Sequence, residues 1–95
     1  MINDKIDRPK RLGEIVLNRN TKKEVYSIDN KILIETKDDS FDSNRLIIIG
    51  EYNLDKKDII FNNNLNKYAK KHNVDKKKLS DKIITTYFLD KLNYN

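Results

Sequence analysis

"LNKYAKKHNVDKKKLSDKIITTYFLDKL", residues 65–92, lies where the chain changes its hydrophobic period. Phe61, Leu65, Tyr68 and His72 recur at i, i+4, i+7 and i+11, the spacing that gathers side chains on one face of an α-helix. Asp58 stands where an N-cap would accept from the first free amides, and Asn73 where a left-handed residue would end the helix. Asp75 then caps a second helix, in which Leu79, Ile83, Ile84, Tyr87, Phe88 and Leu92 make a wide apolar face. The expectation is two helices joined by one tight turn.

Upstream the pattern is shorter and β-rich. Runs at 12–17, 24–28, 31–35 and 45–52 are rich in Ile, Val, Leu and Tyr and are separated by polar clusters, which predicts three to four antiparallel strands. Asp29 and Asn30 tolerate left-handed backbone and suit a tight hairpin. Leu46, Ile47, Ile48 and Ile49 are apolar without alternation, as in a central strand covered on both faces, and Gly50 marks a bulge beside them. The loop at 37–44 gathers Asp38, Asp39 and Asp42 but lacks the central glycine and closing glutamate of a calcium loop, so it reads as a solvated hairpin loop. Residues 1–10 are charged, contain Pro9 and show no apolar period; they read as a tail whose Lys5, Arg8 and Lys10, with Arg11, are a candidate nucleic-acid arm. The fold class is therefore α+β in one domain: tail 1–10, β-rich part 11–57 and two-helix part 58–93.

Charge follows the same division. The 95 residues carry a formal net charge of +5; residues 1–57 hold 12 basic and 11 acidic side chains, and 58–95 hold 8 and 4. Four of the five net charges thus lie with the helices, which points to an anionic partner for that part. Part of the lysine content also fits an A·T-rich genome, since Lys, Asn and Ile crowd the whole chain. With no cysteine and one histidine, His72, the chain has no material for disulfides, Cys-ligated zinc or a histidine triad beyond one imidazole. It has no glycine-rich phosphate loop, and Asp38 and Asp39 sit in a turn rather than across a cleft. No enzyme, metal or cofactor is expected. No apolar run is long enough for a bilayer and no apolar stretch marks a leader, so a cytoplasmic protein is expected.

The spacing Ala69, Asn73, Val74, Leu79 resembles helix-turn-helix proteins, and Ala69 is the sole alanine, placed where close helix approach needs a small side chain. The next apolar anchor of that pattern is filled by Lys82. The same stretch resembles the ribbon-helix-helix family over about 35 residues. Asp58 matches its first cap, Phe61, Leu65, Tyr68 and Ala69 its first buried face, Asn73-Val74-Asp75 its turn, and Leu79, Ile83, Ile84, Tyr87 and Phe88 its second-helix core. That resemblance implies a homodimer with Ile83, Ile84, Tyr87 and Phe88 in its core, and a ribbon strand from each chain entering the major groove of double-stranded DNA. The ribbon would be residues 51–57, with Tyr52 and Leu54 inward and Glu51, Asn53, Asp55 and Lys57 toward the bases. Asn53 could then read adenine and Lys57 guanine.

Lys76, Lys77 and Lys78 occupy the first turn of the second helix, where backbone amides also face an anion, and Lys70, Lys71 and Lys82 widen the patch. The functional expectation is a small non-enzymatic regulator, repressor or antitoxin-like, that binds DNA through phosphates. A second reading is a phage- or plasmid-borne inhibitor, such as an anti-CRISPR or other counter-defence protein, that binds a host nuclease or defence protein through its β-rich half and the 37–44 loop. Tyr26, Phe41, Tyr52 and Tyr68 could stack single-stranded bases, but core packing accounts for them more simply.

Overall fold

Five strands follow one another as an antiparallel meander in the computed structural model, which describes residues 8–37 and 44–93. They are β1 (Lys10–Asn18), β2 (Thr21–Ile28), β3 (Lys31–Lys37), β4 (Asn44–Asn53) and β5 (Asp58–Phe61), and neighbours in sequence are neighbours in the sheet. Two helices follow, α1 (Asn63–Lys71) and α2 (Lys76–Asn93). The α+β class and the helical hairpin stand as expected, with one strand more than the sequence pattern announces.

The hairpin between β2 and β3 turns on Asp29 and Asn30, at φ of 49° and 69°, the pair of left-handed residues that matches the twist of a two-residue connection. Gly50 lies at a bulge: Ile32 faces Gly50 while Leu33 faces Ile48, so Ile49 is the extra residue on β4. The β2–β3 ladder itself pairs only Val25–Ile28 with Lys31–Ile34. Beyond it side chains take over. The Tyr68 hydroxyl donates to Glu35 O at 2.6 Å, and Glu35 Oε1 accepts from Glu24 N at 3.3 Å.

The helices cover one face of the sheet. Val25, Ile32, Ile34 and Ile49 are fully enclosed there against Leu65 of α1 and Leu79 and Ile83 of α2. α2 runs alongside β1, close enough that a Cβ on Gly13 would lie 3.1 Å from Thr86 Cγ2. Lys82 Nζ donates to Val16 O, and Lys10 Nζ meets Asp90 Oδ2 at 3.0 Å, so α2 is tied to β1 near both ends of the strand.

Several expectations are corrected here. Asp58 caps no helix: it opens β5, its Oδ1 accepting from Ile59 N, and Asn62 is the cap of α1, accepting from Asn64 N at 2.8 Å. The reason is the run Ile59-Ile60-Phe61, which pairs with β4 before the helix begins. The supposed ribbon 51–57 is not one strand. Residues 51–53 end β4, residues 54–57 turn back with Lys57 at φ 54°, and Leu54 is 66% exposed rather than inward. Tyr52 does point inward, against Tyr87 and Phe88. Ile48 is exposed, so β4 is covered on one face only, and Leu92 lies outside the apolar face of α2. Lys10 and Arg11 belong to β1, Arg11 paired with Glu24, rather than to a free arm. Lys5, Asp38, Asp39, Phe41 and Asp42 lie outside the described residues.

Ile83 and Tyr87 are buried in the chain's own core, with Ile84 and Phe88 packed against it. The residues assigned to a dimer core are thus engaged by the sheet of the same chain.

Candidate nucleic-acid interface

The turn between the helices is a Schellman motif. Asn73, at φ 55°, donates to Lys70 O at 3.1 Å, and Val74 N to Ala69 O at 2.9 Å. Ala69 is buried beneath it, which lets α1 and α2 approach as its size predicts. Asp75 then opens α2, its Oδ2 accepting from Lys78 N at 3.0 Å and its carbonyl from Leu79 N at 2.9 Å. The sequence reading of Asn73 as terminator and Asp75 as cap is met in both details.

This turn brings Lys70 and Lys71, at the end of α1, beside Lys76, Lys77 and Lys78, at the start of α2. Among the described residues Lys70, Lys71, Lys76 and Lys78 enter no salt bridge, while Lys77 makes a long one with Asp81 at 3.9 Å. Exposed pairs of that length contribute little. Lys82 stands apart, its ammonium held by the Val16 carbonyl. Lys67, one turn before Lys71, joins the group, so residues 62–78 carry six lysines against Asp75 alone.

Asn53 and Lys57 do not join it. Asn53 Oδ1 accepts from Lys56 N at 2.8 Å inside the β4–β5 turn. Its neighbour Tyr52 packs on Tyr87 and Phe88 and lies under Lys91, whose Nζ is 4.8 Å from the ring centre. That contact places the turn toward the C-terminal end of α2, away from Lys76–78, which begin it.

A groove of about 740 Å³ runs between α1 and the start of α2, with Lys67, Lys70, Lys76, Asn63, Asn66 and Asn73 along it and no carboxylate. Lys67, Asn63 and Asn66 were missed in the sequence. The available signal was the absence of any acid from 59–74.

His72 closes α1 with its ring 4.4 Å from that of Tyr68, and its Nε2 is enclosed with no hydrogen-bond partner among the described residues. Loss of hydration lowers its pKa below 6.5, and the charges of Lys23 and Lys71 add to the effect. Burial, with the Glu35 charge, holds the Tyr68 phenol well above its ordinary range. For His72 the sign follows from linkage: the folded state prefers the neutral ring, so its contribution is whole above pH 6.5 and is lost as pH falls through the lower folded value. The thermal midpoint should therefore fall between neutral pH and the onset of carboxylate titration, and less steeply in His72→Gln. A midpoint that rises over this range would contradict the assignment.

The opposite sheet face has a different character. Tyr26, Leu33 and Ile48 stand in one cross-strand row, Ile60 follows in the next, and Glu14 faces Glu24 across β1 and β2. Ile48 and Ile60 are 39% and 48% exposed. Among the described residues no helix is long and apolar enough to cross a membrane, and no group of three or more His, Cys, Asp or Glu side chains could hold a metal ion. Comparison with protein-family models, with curated proteins and with solved structures finds no match to this chain.

Proposed function

We propose that the protein is a small non-enzymatic cytoplasmic regulator that binds double-stranded DNA through its phosphates, with the lysines of the α1–α2 turn as the contact surface. One observation carries this reading: the turn gathers Lys67, Lys70, Lys71, Lys76 and Lys78 at one place, none of them in a salt bridge among the described residues. Unneutralised cations held by a rigid capped turn suit a polyanion, whose condensed counterions are released on contact. Asp75 already occupies the Lys78 amide, so the side chains rather than the helix end carry the attraction.

Replacing Lys76, Lys77 and Lys78 together with alanine tests it. Binding to a labelled duplex, followed over a salt series, should weaken, and the log–log slope should become shallower by about 0.9 for each phosphate that is no longer neutralised. Circular dichroism should stay that of the parent, because all three lysines are exposed. Unchanged affinity and slope would overturn the reading.

The second reading, an inhibitor that binds a host nuclease or defence protein, draws on the outer sheet face. Tyr26, Leu33, Ile48 and Ile60 form an apolar band there, and Glu14, Glu24 and Glu51 lie on the same face by register. Arg11 already pairs with Glu24 and Lys31 stands opposite Glu51, so the apolar band rather than the carboxylates would supply the contact.

A further inference from the structure

We propose that α1, rather than a ribbon strand or α2, is the element that reads bases, its outward stripe Asn63, Asn66, Lys67 and Lys70 facing adenine in the major groove. This rests on the DNA-binding reading above. The four residues recur at i, i+3, i+4 and i+7 and so share one face of the helix, opposite the buried Leu65, Tyr68 and Ala69. With its side chains an α-helix is about 10–12 Å across, which a groove of roughly 12 Å width admits.

The amides are arranged with respect to one another before any ligand arrives. Asn66 Nδ2 donates to Asn63 Oδ1 at 3.1 Å. That contact leaves Asn66 Oδ1 free to accept and the Asn63 amide hydrogens free to donate. Adenine presents the complement in the major groove, an N6 donor beside an N7 acceptor. Lys67 and Lys70 flank the pair on the same stripe, and Lys76 faces them across the groove, where they would meet phosphates on either side of the base.

The competing elements suit bases less well. Asn53 Oδ1 is engaged by the Lys56 amide, and the first turn of α2 presents three lysines and no side-chain amide, which suits phosphates rather than base edges. The stretch 59–74 contains no acid.

The test begins with duplexes selected from a random pool by the full-length protein, followed by the double variant Asn63→Ala, Asn66→Ala. Alanine is favourable in a helix, and both side chains lie away from the core, so the fold should hold by circular dichroism. The parent should select a recurring adenine and lose roughly 5- to 150-fold in affinity when that base pair is changed. The double variant should lose most of this discrimination while binding random-sequence duplex as the parent does. A variant that keeps the full preference, or a parent that selects no adenine, overturns the assignment of α1 and leaves phosphate binding standing. A parent that binds no duplex at all overturns both.

Discussion

Replacing Ile83 with alanine should lower the unfolding free energy by roughly 2–5 kcal/mol, the range for deleting most of a fully buried aliphatic side chain. Ile83 has no exposed surface and sits in the cluster that joins α2 to the sheet. A domain of this size has only about 5–15 kcal/mol to lose, so the variant should be close to unfolding in mild denaturant. Urea titrations at low and high protein concentration make the result diagnostic. Because Ile83 packs within its own chain, the loss should be the same at both concentrations. A stability that climbs with concentration in the parent and ceases to do so in the variant would show that Ile83 belongs to a subunit interface.

Gly50→Ala should cost about 1–3 kcal/mol although it adds a single methyl group. The added Cβ would lie 3.0 Å from Ile60 O and 3.2 Å from Phe61 Cα, and neither is the movable end of a flexible side chain. The backbone of β5 must therefore shift away from β4, or the bulge must be remade. Amide shifts mapped by NMR should cluster in Ile59, Ile60 and Phe61, with those of β1 unmoved. An alanine variant as stable as the parent would mean that the bulge adjusts freely.

Local chemistry announced some of these features and hid others. Asp29-Asn30 could be read because both residues accept left-handed backbone, and Asn73 for the same reason. β5 could not, because the turn before it places a left-handed conformation on Lys57, a residue type that signals nothing of the kind. Asp58 misled through chemistry common to two roles. Its carboxylate does accept from a backbone amide, but that amide belongs to a strand. The apolar stripe of α2 was legible down to Ile83 and Tyr87, whereas a stripe does not name the layer that covers it, and both residues are buried against the sheet of their own chain. In the candidate site the lysines could be read from charge alone. The tether of Lys82 could not, since its acceptor lies 66 residues earlier. The groove amides were hidden among the chain's many other asparagines.

Both margins of the sheet are guarded. α2 lies beside β1 and donates to Val16 O; β5 has four residues, and the Ile59 amide is taken by Asp58. Where β5 runs out, the side chains of Asn62 and Asn64 both donate to Ile48 O. Such margins discourage strand addition from another chain. Without a shared ribbon, nothing in these strands imposes two-fold symmetry on the partner. On the DNA-binding reading proposed above, a chain that met the duplex alone would do so in one orientation, and the sequences it favoured would be short and directional rather than inverted repeats.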